Sequence, residues 1–550
     1  MDGGHLVRSP PTDDLPLTVG GLLKRRAREH PDQDLLVCDE ERLTFGEADR
    51  RSLTVAAGLV GAGAGRGTHV AVLMPNGADF VVTWLAAARI GAVSIPISTF
   101  STPAELREVL HSSDADLLIM KDRYRSHDYL GAVRAAFPSL DLARPGPHFL
   151  IEAPCLRHVY VEGSAAALST AQPFASLTAD DLGMDAALVG AIEEEVTPSD
   201  RMAIVYTSGS TSSPKGVIHG HGAMIRNMMN LNQPRGLGPG SKLFSNSPMF
   251  WIGGLAYNLV GVLAAGATLI CSNETDAGRT LDLLERERPE LVNGYAQSAA
   301  HLAAHPSFPG RDLSSIRRGN LYPIMPDDVR PYDPELRHNL LGSTEAGSVC
   351  LMDPDENDLP ESLRGSFGKP VTDLEARIVD PETGADLEDG LPGELWLRGP
   401  MLMEGYYGRE RFETFTNDGW YRSGDMFVRD PLGYYFFKGR NGDMIKTGGA
   451  NVSPREVEGA ISELSGGVPS IVFGVPDADR GQIVVAAILS RDEVDVASLL
   501  EALRSRVSHY KIPRTIVRID PRDVPLRSSG KPDLIRLAAL VTGTGDPAAP

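Results

Sequence analysis

The stretch His69–Ser98, HVAVLMPNGADFVVTWLAAARIGAVSIPIS, limits what this chain can fold into more than any other. β-Branched runs at either end flank a middle section whose apolar residues recur at helical spacing, so it reads strand, helix, strand. The same rhythm returns in DADLLIM, RMAIVYTS, GATLICS and PELVNGY. Strands alternating with helices predict an α/β architecture with largely parallel sheets. At 550 residues the chain exceeds a single hydrophobic core, so two or more domains are expected. Between Ser139 and Asp200 the pattern decays into Pro, Ala and acidic residues, which predicts an irregular insertion.

A second regime begins near Gly439. SPREVEGAISEL has Ser453 as N-cap, Pro454 at the first helical position and Glu456 three residues after the cap, the signature of a capping box. PSIVFGVP, QIVVAAILS, VASLLEALRSRV and TIVRID then read strand, strand, helix, strand. This predicts a small α+β domain of residues 439–550 after a large domain of residues 1–438. The last ten residues read as a tail.

The net charge of −20 argues against general binding to nucleic acid or anionic membrane. A polyanionic substrate remains open, provided its site gathers cations locally. The four cysteines have no paired spacing for a metal or a disulfide framework. The N-terminus shows no basic stretch leading into an apolar one, and LVGVLAAGATLIC is too short to span a bilayer. A cytoplasmic enzyme is the expectation.

Four short stretches carry chemistry. YTSGSTSSPKG, Tyr206–Gly216, offers hydroxyls beside two glycines and Lys215, the parts of an anion cradle. It is not the common nucleotide loop, because Pro214 takes the place of the second glycine and Gly216 follows the lysine. NLLGSTEAGS sets Thr344 beside Glu345 at a glycine turn, where a hydroxyl and a carboxylate suit Mg²⁺ and a phosphate oxygen. The span Asp418–Glu458 gathers Asp425, Arg440, Lys446, Gly448 and Gly449. RSSGKPD presents Lys531 in a Gly/Ser/Pro loop.

In this order and spacing the motifs resemble the adenylate-forming enzymes: acyl-CoA synthetases, firefly-luciferase-like proteins and nonribosomal peptide adenylation domains. The resemblance runs from about Leu17 to Leu537. It implies a large N-terminal domain of layered β-sheets and helices, and a small mobile C-terminal domain hinged at about 440–442, with Gly442 as pivot. It also implies two half-reactions using ATP, Mg²⁺ and coenzyme A. A carboxylate attacks the α-phosphate to give an acyl-adenylate and pyrophosphate, and a thiol then displaces AMP.

The resemblance assigns Thr207, Ser208, Gly209, Ser210, Thr211 and Lys215 to the departing phosphates. Leu341, Gly342, Ser343 and Tyr322 fall at the adenine, Thr344 at the α-phosphate and Glu345 at Mg²⁺. Asp425 and Arg440 fall at the ribose. Lys531 bridges the carboxylate and the ribose-phosphate oxygens during adenylation. Lys446, Gly448 and Gly449 line the coenzyme A channel, and Trp251, Ile252, Leu255 and Tyr295 the acyl pocket.

Several positions depart from the family pattern. Ser212 replaces a loop glycine, Leu341 an adenine-stacking aromatic, and Trp251 a histidine at the acyl entrance. Tyr322 lies in the strip that faces adenine, where it offers an aromatic surface. No aspartate lies in Met249–Leu255 to read an amino acid's ammonium group, so the implied substrate is an apolar carboxylic acid: fatty, aryl or steroid-like. Loading of a carrier protein's phosphopantetheine is the alternative within enzymes. A non-catalytic binder of acyl-AMP or acyl-CoA is the alternative outside them. The expected partners are the small-molecule acid, ATP and coenzyme A, with no nucleic acid, and a homodimer is an open alternative.

Overall fold

The computed structural model describes residues 15–164, 171–178, 186–207, 214–294, 299–337, 339–354, 357–440, 444–525 and 532–542, and the statements below concern these. The chain forms two compact units. One comprises Met1–Thr99, Val109–Thr207 and Gly216–Gly439; the other comprises Phe100–Glu108, Ser208–Lys215 and Arg440–Pro550.

The first unit contains two six-stranded sheets. In one, the spatial order is Arg318–Gly319, Leu291–Val292, Lys242–Phe244, Thr268–Cys271, Asp34–Cys38, Glu41–Thr44. All its pairings are parallel except the last. In the other, the order is Lys215–Gly220, Arg201–Thr207, Val93–Pro96, His69–Leu73, Leu117–Lys121, His158–Glu162. The pairings from Arg201–Thr207 to His158–Glu162 are parallel. The predicted strand–helix–strand unit appears as His69–Leu73, Ala78–Arg89 and Val93–Pro96. Its helix is buried along its whole length, so its apolar residues run all round rather than in one stripe.

The expectation of an irregular insertion after Ser139 is corrected. His158–Glu162 is the sixth strand of the second sheet, and Ala186–Glu194 is a helix. Glu193 from that helix meets the buried Arg89 guanidinium at 3.1 Å and Lys24 at 2.7 Å. This fastens the segment to the core through buried charges that its local sequence does not reveal. Cys38 and Cys271, far apart in sequence, lie opposite each other on neighbouring strands as free thiols.

Two further sheets, and a two-stranded ribbon of Arg123–Tyr124 with His127–Asp128, complete the first unit among the described residues. Leu341–Ser343, Ser348–Met352 and Lys369–Pro370 form one. Glu375–Val379, Gly393–Arg398, Tyr421–Arg429 and Tyr435–Arg440 form the other.

The second unit pairs Ala450–Val452, Ile445–Thr447, Gly481–Leu489 and Ser470–Asp477 in that order, with Thr515–Ile519 parallel to Gly481–Leu489. Helices Pro454–Leu464 and Val496–Arg504 contribute to its core through Val457, Ile461, Leu499 and Leu503. The expected capping box is half formed. Ser453 Oγ accepts from the Glu456 amide at 3.4 Å. The Glu456 carboxylate instead takes the buried Lys511 ammonium at 2.7 Å, which Glu105 shares at 2.7 Å. A buried lysine needs paired carboxylates, and that need outweighs a cap.

Candidate functional site

Thr344 and Glu345 sit in the tight connection of an antiparallel hairpin whose register pairs Gly342 with Val349 and Ser343 with Ser348. Ser343 Oγ accepts from the Ala346 amide at 3.1 Å, and the Gly347 amide donates to the Thr344 carbonyl at 3.0 Å. Gly347 has φ +67°, and a Cβ there would lie 2.8 Å from the Met401 carbonyl oxygen. Glycine is therefore required on both counts.

Three elements distant in sequence clamp this turn. His219, on the strand Lys215–Gly220, meets the Thr344 carbonyl through Nε2 at 2.8 Å. A carbonyl only accepts, so Nε2 carries the proton. The Met403 amide donates to the Glu345 carbonyl at 2.8 Å, and the Tyr406 hydroxyl donates to Glu345 Oε1 at 2.9 Å. Asn227 Nδ2 reaches the Ala346 and Gly347 carbonyls at 3.5 Å. The result is a carboxylate and a hydroxyl on a backbone fixed from several sides. Among the described residues no cation pairs with Glu345.

Asp425 is 8% exposed on Tyr421–Arg429. Its amide donates to Ser423 Oγ at 3.1 Å, Ser423 Oγ donates to the Leu395 carbonyl at 2.6 Å, and the Gly424 amide donates to Glu394 Oε1 at 2.9 Å. The thiol of Cys350, on the Thr344–Glu345 hairpin, is pushed up by burial and then by the negative charge of Asp425. The structure thus brings Asp425 alongside that hairpin, about 80 residues earlier in the chain.

The other expected residues fall as follows. Leu341 is half-buried on the hairpin, and its carbonyl accepts from Cys350 Sγ at 3.3 Å. Tyr322 is half-buried on the 3₁₀ turn Tyr322–Ile324. Trp251 and Ile252 are half-buried, whereas Leu255 is fully buried in the main core. Leu255 lies on Gly253–Val260, a π-helical run that continues into the α-helix Gly261–Ala265; π-helical turns concentrate at functional sites. Thr207 ends the strand Arg201–Thr207, and Lys215 opens Lys215–Gly220.

Lys446 is exposed on the second unit's strand Ile445–Thr447, and Arg440 ends the strand Tyr435–Arg440. Gly448 and Gly449 form a two-residue hairpin turn between Thr447 and Ala450, with φ +55° and +85°. Positive φ at both central residues is the geometry that glycine supplies most readily. Ser208, Gly209, Ser210, Thr211, Tyr295, Gly442 and Lys531 lie outside the described residues.

Sequence reasoning missed His219, Tyr406 and Asn227. Each acts on a partner more than 60 residues away, and none sits in a local motif. His219 and its neighbour His221 are both buried, and burial lowers each to about 4 from 6.5. Both rings are neutral when folded, while the unfolded chain takes up protons below about pH 6.5. Their contribution to stability is therefore complete above pH 6.5 and lost as the pH falls towards 4. A shift of that size corresponds to about 3 kcal/mol per ring. The melting temperature should drop steeply between pH 6.5 and 4, and His219→Gln, whose amide can still donate, should flatten that drop. An unchanged slope in the variant would show that His219 is not buried as a neutral ring.

The AMP-binding enzyme family matches residues 23–407, and the AMP-binding enzyme C-terminal domain matches residues 456–531. A feruloyl-CoA synthase of Amycolatopsis sp is 30% identical, covering 93% of this chain and 97% of the relative. The mitochondrial medium-chain acyl-CoA ligase of Mus musculus is 29% identical over 94% of this chain and 86% of the relative. The amide bond synthetase McbA from Marinactinospora thermotolerans shares the fold with a TM-score of 0.76, at 24% identity, over 94% of this chain and 99% of that one. Among the described residues no helix is long and apolar enough to cross a membrane. The chain belongs to the adenylate-forming, AMP-binding enzymes, in the branch of the acyl-CoA synthetases.

Proposed function

We propose that this protein is an ATP-dependent acyl-CoA ligase. It activates a carboxylic acid with an apolar body as its acyl-adenylate and transfers the acyl group to coenzyme A, releasing AMP and pyrophosphate. The observation that carries the reading is the Thr344–Glu345 turn, held by His219, Met403 and Tyr406 with Asp425 alongside. Fixed polar groups stabilise a charged transition state because they need not reorganise as charge develops.

Thr344 donates its hydroxyl to the α-phosphate, and Asp425 accepts both ribose hydroxyls. Lys215 and the loop before it hold the departing phosphates. Glu345 suits Mg²⁺, which binds through one or two carboxylates plus substrate phosphates and keeps several waters. Its Oε1 already takes the Tyr406 hydroxyl, which orients the carboxylate. When bound, the ion neutralises phosphate charge. Lys531 brings an ammonium to the carboxylate and the ribose-phosphate for adenylation. Residues 439–550 then turn about the hinge at 440–442, with Gly442 as pivot. The Lys446–Gly449 hairpin replaces Lys531 and admits the pantetheine thiol past two glycines that have no side chain to obstruct it. Trp251, Ile252, Leu255 and Tyr295 give the acyl pocket its apolar wall.

The reading is tested with a panel of carboxylic acids given ATP, Mg²⁺ and coenzyme A, with pyrophosphate and thioester measured separately. Both products from one acid are expected. Pyrophosphate without thioester would favour the carrier-loading alternative, and neither product across the panel would favour the non-catalytic binder.

A further inference from the structure

Arg235 is 6% exposed, and among the described residues it has no carboxylate partner. Nη1 donates to the Tyr257 carbonyl at 2.6 Å and approaches Asn232 Oδ1 at 3.5 Å. The guanidinium stacks on the Tyr257 ring, 3.7 Å from its centroid. The Asn293 amide is satisfied when its oxygen accepts from Arg235 Nη2 at 2.9 Å and its nitrogen donates to the Val292 carbonyl at 3.2 Å. Nε has no partner. Among the described residues, every group that meets this cation is neutral. Burial pulls its pKa below the ordinary arginine value, and only Tyr257 opposes that. A buried charge without a countercharge is costly, so such a site calls for an anion.

Arg235 lines a cavity of about 100 Å³. Arg318 and Arg337 line it too, against one carboxylate, Asp353. Arg337 is already paired with Asp358 at 3.1 Å, and Arg318 Nη2 donates to the Pro234 carbonyl at 3.1 Å. Tyr257 and Asn293, which also line the cavity, lie on the two stretches assigned to the acyl pocket: Tyr257 on the π-helical run with Leu255, and Asn293 just before Tyr295. Tyr322, assigned by the resemblance to the strip that faces adenine, lines it as well, while Thr344, Glu345 and Asp425 do not. The volume suits a compact polar group with a few carbons, since a cavity of about 150 Å³ holds benzene.

We infer that this cavity receives a second, anionic oxygen group at the far end of the acid substrate. The substrate class is then a dicarboxylic acid with an apolar body, one carboxylate activated by ATP and the other paired with Arg235. This rests on the acyl-activating reading and narrows it, because the wall near Trp251 is apolar while the far end is cationic. A forked guanidinium matches a carboxylate with two parallel hydrogen bonds, which a terminal methyl group cannot replace.

The test uses matched acids that differ only at the far end: adipate against hexanoate, and terephthalate against 4-methylbenzoate. Pyrophosphate release is measured for each with the full-length enzyme, Arg235→Met and Arg235→Lys. The wild type should prefer each diacid by at least about tenfold in kcat/KM. Arg235→Met should lose the preference by raising KM for the diacid while the monoacids hold, and Arg235→Lys should restore part of it. Thermal protection by adipate and terephthalate, seen in the wild type and lost in Arg235→Met, reads the same contact without catalysis. It also decides the inference if no acid releases pyrophosphate, an outcome that would count against the ligase reading alone. Monoacids equal to or better than diacids would overturn the inference. So would an Arg235→Met variant that slows both members of each pair equally, the sign of a clamp on the π-helical run. A raised KM for ATP with unchanged acid preference would overturn it too, by giving the cavity to the nucleotide.

Discussion

Replacing Lys531 with alanine should slow formation of acyl-AMP from acid and ATP by roughly 10²–10³-fold, while thioester formation from synthetic acyl-AMP and coenzyme A proceeds near the wild-type rate. In the first half-reaction an anionic nucleophile approaches an anionic phosphate, so an ammonium in a closed site stabilises the transition state more than the ground state. Removing one such group costs about 10²–10³ in rate. In the second half-reaction of the proposed mechanism the phosphate leaves as AMP, and Lys531 would have moved away with residues 439–550. Pyrophosphate release reads the first step, and thioester absorbance reads the second from pre-formed adenylate. A normal melting curve must accompany both, because an unfolded variant loses both steps. Equal loss of both steps in a folded variant would contradict the division of labour between the two faces of residues 439–550.

Gly449→Leu should show the reverse pattern, with a burst of pyrophosphate and thioester formation reduced by about 10²-fold or more, the scale on which a small misplacement of reactants acts. Two effects combine at this residue. Its φ of +85° lies where side chains are strained, and on the proposed reading a leucine there would project into the coenzyme A channel. Gly449→Ala separates them, because alanine carries the backbone strain with little of the bulk. If alanine reduces the thioester step as much as leucine, backbone strain is responsible and the obstruction account does not hold. If leucine leaves the step intact, the hairpin Ile445–Val452 is not the coenzyme A face.

What could be read from the sequence follows from how far apart interacting residues lie. The strand–helix–strand unit at His69–Pro96 was legible because periodicity is local. The Thr344–Glu345 turn was legible because its chemistry demands particular residues side by side, whereas Gly448 and Gly449 stood out as a pair without the hairpin turn they form being read. His219 was not legible, since its partner Thr344 is 125 positions away and a histidine in VIHGH gives no sign of what it faces. Glu456 matched a capping box locally, yet Lys511 draws its carboxylate away. HVYVE was hidden among Pro, Ala and acidic residues, and only its parallel partner Leu117–Lys121 makes it a strand. Arg235 reads in NQPRGLG as an ordinary cation at a helix end, and the fold alone turns it into a buried charge beside Tyr257.

In the proposed mechanism a carboxylate oxygen attacks the α-phosphate of ATP, and isotope transfer follows that oxygen. An accepted acid carrying ¹⁸O in its carboxylate is turned over with ATP, Mg²⁺ and coenzyme A, and the products are weighed by mass spectrometry. Attack at the α-phosphate followed by thiolysis at the acyl carbon leaves the bridging oxygen on AMP, so AMP should carry one ¹⁸O and pyrophosphate none. AMP without the label, or label appearing in inorganic phosphate beside ADP, would contradict the adenylate mechanism for this chain.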